Sequence, residues 1–140
     1  MICTDALTFV GGCLSSAGFV PKIEYLGDIR EVPSGTTDYY PAFMRVTKES
    51  LDQFKGGSAS ECRAEVTVKV RMLGSAKGFT DADVLANMCE NAAGRAYMSS
   101  DMIVKKTELG EFRRNITLGR LEREMTFTVS YIVTLTEVIR

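Results

Sequence analysis

The chain contains no histidine among its 140 residues, and only three prolines. Without histidine, the Ser-His and Cys-His nucleophile pairs of many hydrolases are excluded, and so are metal sites that use imidazole ligands. No apolar stretch approaches the roughly 20 residues needed to span a bilayer, so we expect no membrane partner. The sequence shows no recognisable catalytic constellation. We therefore predict a protein that is not an enzyme and that holds no metal ion or cofactor.

Four cysteines are scattered along the chain without the C-x-x-C spacing of zinc or redox sites: Cys3, Cys13, Cys62 and Cys89. Each falls on the apolar side of its predicted helix or strand, where a reduced thiol behaves as a small hydrophobic side chain. Zinc sites use closely paired ligands, which this spacing does not supply. The sequence therefore predicts four buried free thiols and a reducing compartment.

Length and charge are those of an ordinary soluble domain. A chain of this length can bury roughly two-thirds of its unfolded surface, and residues 1–140 are predicted to form one domain. Hydrophobic residues make up 45% of the chain and charged residues 25%, which is typical of globular proteins. The formal net charge of −1 provides no overall field that would attract nucleic acid. A nucleic-acid role would need local clusters of basic residues.

Two segments, residues 62–72 and 125–135, alternate between apolar and polar side chains without interruption. Successive side chains of a strand leave opposite faces of the sheet, so each segment is predicted as a strand with one buried face. Such strands are typical of antiparallel sheets covered on one side. The apolar side of the first contains Cys62, Ala64, Val66, Val68, Val70 and Met72. The apolar side of the second contains Met125, Phe127, Val129, Tyr131, Val133 and Leu135.

Two further segments carry apolar residues at helical spacing, residues 3–17 and 80–97. Thr4 or Asp5 is the predicted N-cap of the first helix, because short polar side chains accept hydrogen bonds from the first turn. Thr80 opens the second helix in a box-like cap. Each helix has a single apolar stripe, so both need a sheet to cover that stripe.

Glycines and prolines divide the rest of the first half. Gly18 occupies the position at which a helix commonly ends in a left-handed residue. Residues 22–32 and 38–47 are predicted strands, and Pro41 makes the second an edge or bulged strand because proline cannot donate to a sheet. Residues 48–61 are polar with glycines at their centre and are predicted as a long loop.

The second half ends in a predicted hairpin. Residues 103–104 and 112–118 have strand character, and a turn at Gly119 leads into the last strand. The order helix, two strands, loop, strand, helix, hairpin has one economical arrangement. Both helices pack on the same face of a single antiparallel sheet, which gives a two-layer α+β domain with a long loop and a terminal β-hairpin.

Two other chemistries can be weighed from the residues. Residues 74–80 precede a helix and contain glycines, but Lys77 precedes the second glycine and Phe79 occupies the lysine position of a phosphate-binding loop. A plain strand-to-helix turn is the preferred interpretation. A pair of catalytic carboxylates stays an open alternative, because two acids need only meet in space. Asp81 and Asp83 are, however, sufficiently explained as residues that stabilise a helix start.

Charged residues on the polar sheet face and in the hairpin form a candidate subunit or partner interface. Its residues are Arg63, Glu65, Lys69, Arg71, Arg113, Arg114 and Arg120. One interpretation is a solvated surface with exposed ion pairs of little energetic value. The sharper interpretation is a projecting arm that docks on a neighbour. In that case reversing Arg71 or Arg114 to glutamate is expected to weaken assembly and leave the fold intact.

The order of elements and the size of the chain resemble those of the tail-terminator proteins of long-tailed bacteriophages. The matching elements are the amphipathic start, the strand pair that includes residues 39–43, the glycine-bearing loop, the alternating strand at 62–72, the single helix at 80–97 and the terminal hairpin. The resemblance covers nearly the whole chain and is one of architecture. No diagnostic motif contributes to it.

The resemblance implies a structural virion protein that forms a ring, usually a hexamer, at the head-proximal end of the tail tube. Its partners would be further copies of itself, the tail-tube protein and the head connector, with DNA only as passing cargo. It would be found in the tail or neck of the virion, and in the host cytoplasm during assembly. Other neck or tail-tube components, a small ligand-binding or enzymatic α+β domain, and a nucleic-acid-binding module stay as alternatives.

Overall fold

The structure, a computed structural model, describes residues 3–24, 39–53, 61–76, 80–100, 102–116 and 118–134. The elements in chain order are α1 (Cys3–Ser16), β1 (Val20–Ile23), β2 (Pro41–Gln53), β3 (Glu61–Gly74), α2 (Asp81–Met98), β4 (Ile103–Asn115) and β5 (Arg120–Thr134). The strands form one sheet in the order β1-β2-β3-β5-β4. Both helices pack on the same face of this sheet. The predicted α+β architecture is confirmed.

One strand pair differs from the predicted all-antiparallel sheet. β1 pairs with β2 in parallel, from Val20↔Pro41 to Ile23↔Met44, whereas the other pairs are antiparallel. Parallel strands need a connection of a dozen or more residues to bring the chain back to the starting end. The segment between Ile23 and Pro41 is long enough for such a connection. Because β1 and β2 are parallel, the sheet is mixed.

The second strand is longer than predicted. β2 continues to Gln53, so residues 48–53 of the predicted loop are strand, and residues 54–60 lie outside the described part of the chain. The polar residues 48–53 pair with β3. Their composition alone did not indicate a strand, because the strand depends on hydrogen bonds to β3. Pro41 is the first residue of β2, where a missing donor is tolerated, and the register shifts between Val46 and Lys48.

The predicted strand at residues 22–32 is described only at its start. β1 ends at Ile23, and residues 25–32 lie outside the described residues. In the hairpin, β4 runs without interruption from Ile103 to Asn115, so residues 105–111 are also strand and the strand ends before Leu118. Gly119 lies in the turn with a φ of +64°, as predicted from its position.

The end of α1 forms a complete C-terminal capping motif. Gly18 has a φ of +100°, a conformation that glycine adopts without steric cost. Its N–H donates to the carbonyl of Ser15 at 3.1 Å, and the N–H of Phe19 donates to the carbonyl of Leu14 at 3.0 Å. These two bonds are the Schellman pattern. The predicted end of the first helix is confirmed.

The predicted helix starts are less accurate. α1 already includes Cys3, so Thr4 and Asp5 belong to its first turn and neither is the N-cap. Thr80 does precede α2 as predicted, but its side chain makes no capping hydrogen bond and its backbone is in the helical region. Asp81 and Asp83 lie in the first turn of α2, where negative charge stabilises the helix dipole.

The apolar sides of the two long strands face the helices. Ala64, Val66, Val68, Val70 and Met72 of β3 are fully buried, as are Met125, Phe127 and Val129 of β5. Each helix contributes a buried stripe to the same core. That of α1 contains Ala6, Leu7, Val10 and Leu14, and that of α2 contains Leu85, Cys89, Ala92 and Ala96. The alternation in the sequence therefore assigned the inner face correctly.

Two of the four thiols are buried as predicted. Cys13 and Cys89 are buried and free, whereas Cys62 is free but only half-buried, and the side chain of Cys3 lies outside the description. Cys89 contacts the sulfur of Met72 at 3.5 Å, and burial raises the pKa of its thiol to about 11, with Arg123 acting in the opposite direction. A thiol with so high a pKa is almost entirely protonated at neutral pH and reacts slowly.

The outer face also contains a small apolar cluster that the sequence pattern missed. Phe43 and Leu73 are buried there, and Tyr39 and Leu118 pack against them. The outer face is therefore polar only over part of its length. This cluster lies where β2 begins and β3 ends, beside the turn between β4 and β5.

The burial of Leu85 on the inner face leads to a testable prediction. Leu85→Asp should prevent folding, because an unpaired buried carboxylate costs enough to unfold a domain with only about 5–15 kcal/mol of stability. Glu90→Ala, on the exposed side of the same helix, is the matched control and should change stability by less than about 0.5 kcal/mol. Circular dichroism during urea unfolding measures both, and a folded Leu85→Asp variant at 37 °C would contradict the assigned face.

Candidate functional site

The predicted row of charges on β3 lies on the outer face of the sheet. Arg63, Glu65, Lys69 and Arg71 alternate with the fully buried residues of the same strand. On β5, the neighbouring strand, Glu124 lies directly opposite Arg71. The pairing therefore places carboxylates beside the cations of the row. The spacing of residues along a single strand could not predict these cross-strand neighbours.

Glu124 is the centre of one part of a charge network. Its carboxylate lies 3.0 Å from the Nζ of Lys69 and 3.2 Å from an Nη of Arg113. Arg113 also contacts Glu122 at 2.9 Å, and Asn115 donates a hydrogen bond to the other oxygen of Glu122 at 3.1 Å. The hydrogen bond from Lys69, aided by the nearby positive charges, holds the pKa of Glu124 below its usual range although burial opposes this.

Glu24 is the second anionic centre. It lies 3.5 Å from Arg45 and 3.8 Å from Arg71. The Nε of Arg71 is buried and has no hydrogen-bond partner among the described residues. A small cavity of about 10 Å³ lies beside it, lined by Glu24, Arg45, Lys69, Arg71 and Glu124. This volume and the polar lining fit one bound water molecule.

The opposite end of the row is also paired. Lys105 of β4 donates to a carboxylate oxygen of Glu65 at 2.9 Å, and Lys106 lies 3.2 Å from Glu108. Glu65, Lys69 and Arg71 therefore all have partners within the chain. As an interface, this face would have to exchange internal ion pairs for external ones, which brings little net gain.

Arg120 is placed differently from the other predicted interface residues. Its side chain is fully buried, with 0% exposure. Its Nη1 donates to the backbone carbonyl of Tyr39 at 2.6 Å, and its guanidinium lies 5.9 Å from the centre of the Tyr39 ring. The prediction that Arg120 belongs to an exposed basic surface is wrong. The residue instead fastens the start of β5 to the chain that enters β2.

Arg114 and the hairpin turn remain on the surface. The side chain of Arg114 is exposed and makes no ion pair or hydrogen bond with the described residues. Asn115 closes the turn, because its side-chain oxygen accepts from the N–H of Leu118 at 3.0 Å. Ile116, between them, is 87% exposed. The chain therefore presents a large, exposed apolar side chain at the end of β4.

A cleft between the two helices opens at the other end of the molecule. It has a volume of about 630 Å³ and is formed by α1, the C-terminal end of α2 and the last part of β5. Its lining residues are Asp5, Thr8, Phe9, Gly12, Cys13, Ser16, Arg95, Ser99, Met102, Tyr131 and Ile132. This volume is in the range of ligand-binding pockets. The sequence gave no signal for it, because its residues come from three distant segments.

No protein-family model and no curated protein matches this sequence. In the described part of the chain, no group of histidine, cysteine and acidic residues has the geometry to hold a metal ion. Neither described helix combines the length and the apolar character required to cross a bilayer.

The network around Glu124 predicts a pH dependence. Its pKa is lowered in the folded state, so its contribution to stability is complete above the unfolded value of about 4.3 and is lost as pH falls through the folded value. Glu124→Gln should therefore flatten the fall in unfolding free energy between neutral pH and about pH 3. Urea unfolding at several pH values measures this. Glu108→Gln, on exposed β4, is the control, and identical pH profiles for the two variants would contradict the role of Glu124.

The network also separates two charge reversals that the sequence treated alike. Arg71→Glu adds a carboxylate beside Glu24 and Glu124, so we expect it to lower the unfolding free energy by about 1–3 kcal/mol even in an isolated subunit. Arg114→Glu disturbs no ion pair of the described residues and should change it by no more than about 0.5 kcal/mol. Equal effects in urea unfolding would show that the network is unimportant. Arg114 is thus the cleaner probe of assembly.

Proposed function

We propose that the protein is a structural virion subunit like a phage tail terminator, which forms a ring at the head-proximal end of the tail tube and provides the docking surface for the head connector. The proposal joins the resemblance in sequence order to one structural observation. Among the described strands, the sheet has two open edges of different character, on opposite sides. Both are long enough to take part in subunit contacts.

The first open edge is β4. It is the outermost strand on its side of the sheet, and among the described residues no strand pairs with its outer edge. It is long, from Ile103 to Asn115, and most of its residues are exposed. A long strand with unpaired backbone groups is a ready site for association with another chain.

The second open edge is the later part of β2. On that side β1 covers β2 only from Pro41 to Met44, so residues 45–53 have no described neighbour on their outer edge. Leu51 is exposed there, 40% of its surface accessible. Two different surfaces on opposite sides of a subunit support head-to-tail contacts, which close into a ring when the rotation between subunits fits.

The β4 edge also carries features that oppose indiscriminate pairing. β4 has register shifts between Val104 and Lys106 and between Leu109 and Phe112, and it is rich in charged side chains. Bulges and charges are the means by which sheet proteins prevent edge-to-edge aggregation. A contact made by this hairpin would therefore depend on particular side chains, as a defined oligomer requires.

The ring predicts a discrete mass. Light scattering on the purified protein, over a hundredfold range of concentration, should show one closed oligomer of several subunits rather than a continuous series, since closure satisfies every interface. Negative-stain electron microscopy should show annular particles. A protein that stays monomeric at the highest concentration, and also when mixed with its tail-tube protein, would reject the terminator function. Open filaments would indicate a tube component instead.

A further inference from the structure

The hairpin turn and the helical cleft lie at opposite ends of β5. The turn comes just before Arg120, and Tyr131 and Ile132 near the other end of the strand line the cleft. At roughly 3.3 Å per residue, Arg120 and Tyr131 are about 35 Å apart. A feature at one end and a cavity at the other cannot meet within one subunit. They can meet between neighbouring subunits that are related head to tail.

The turn carries an exposed apolar side chain, and part of the cleft is apolar. The turn presents Ile116, the most exposed large apolar side chain among the described residues. The cleft has an apolar floor to receive it, which includes Phe9, Met102 and the buried Cys13. An exposed apolar side chain gains free energy by entering such a site, because its contact with water is removed.

They also offer one pair of opposite charges, although the cleft contains a cation, Arg95, as well as Asp5. The side chain of Asp5, at the edge of the cleft, is exposed and makes no ion pair or hydrogen bond with the described residues. Arg114, two positions before Ile116, is an exposed cation in the same state. On the outer face, Lys69 and Lys105 form ion pairs with Glu124 and Glu65. Asp5 and Arg114 therefore provide opposite charges that the fold of one subunit leaves unused.

We propose that the helical cleft of each subunit receives the β4–β5 turn of a second copy of this chain, with Ile116 as the apolar anchor and Arg114 paired with Asp5. The inference rests on the proposed ring and adds a contact between neighbouring subunits to the strand edges described above. Because donor and acceptor surfaces differ, each subunit gives one turn and receives another. Only a closed ring then leaves no cleft empty.

The anchor is tested by Ile116→Ser. This variant should fold as the wild type does, because the side chain touches solvent, and should weaken self-association by about tenfold or more. Val84→Ser replaces another exposed apolar residue, at the start of α2 and outside the cleft and the turn. It should leave the oligomer unchanged. Both are measured by light scattering on the full chain at matched concentration.

The charge pair is tested by exchange. Asp5→Lys and Arg114→Glu should each weaken the oligomer, and the double variant should restore most of the loss, since the two charges again differ in sign. Asp83→Lys reverses an equivalent exposed acid in the first turn of α2 and controls for the effect on a helix start. It should leave the mass unchanged.

A covalent test locates the contact. Ile116→Cys should form a disulfide with Cys13 of a neighbouring subunit under a mild copper-phenanthroline oxidant, giving a ladder of linked subunits on a non-reducing gel. Adding Cys13→Ser should remove the ladder.

The outcomes separate this inference from the proposed function. An oligomer that weakens with Ile116→Ser, is restored by the charge exchange and is linked through Cys13 supports the contact. An oligomer of unchanged mass in all of these variants overturns the contact and leaves the ring in place, with the cleft open to a different ligand. A wild type that is monomeric under every condition overturns both.

Discussion

The pairing of β3 with β5 is the constraint on which the remaining structure depends. It runs in one register from Glu61↔Thr134 to Gly74↔Leu121, and it joins two strands whose apolar residues mostly face the helices. Since side chains alternate, a slip of one residue would move Lys69 and Arg71 under the helices and expose the valines. The cost of burying those cations without partners fixes the register from both faces.

The ion pairs of the outer face follow from that register. The cations of β3 lie next to the carboxylates of β5, and the neighbouring strands add Arg45 and Lys105 to the same set. Such pairs contribute little stability individually in contact with water. Their main effect is to neutralise one another's charge. The middle of this face therefore has few unpaired charges with which to bind a partner. The residues still available for contact lie at the two ends of the molecule and along the strand edges.

The sequence was most informative where one physical rule dominated. Alternation in β3 and β5 predicted the buried face, and Gly18 predicted the end of α1 because a left-handed residue is required there. The polar residues 48–53 were predicted as loop, since their strand conformation depends on pairing with β3 and not on composition. Arg120 was predicted as exposed, although the carbonyl of Tyr39, 81 positions away in the sequence, provides its partner.

The candidate site was predicted only in part for the same reason. The pattern located Arg63, Glu65, Lys69 and Arg71 on one face. The partners described for the last three are Lys105 of β4, Glu124 of β5 and Glu24 just after β1, and they depend on strand order. The helical cleft is a product of tertiary packing alone. A single sequence contains the alternation of each element and little of how the elements are placed against one another.

The strand order also determines how the chain can fold. β2 with β3, and β4 with β5, are neighbours in sequence that can pair locally, on the microsecond scale of hairpins. The central pair β3–β5 is separated by the whole of α2 and closes a much longer loop. We therefore expect the docking of these two halves to limit the rate of folding. Until they dock, the apolar faces and the inner edges of β3 and β5 are exposed together. At high concentration, β3 of one chain can then pair with β5 of another chain.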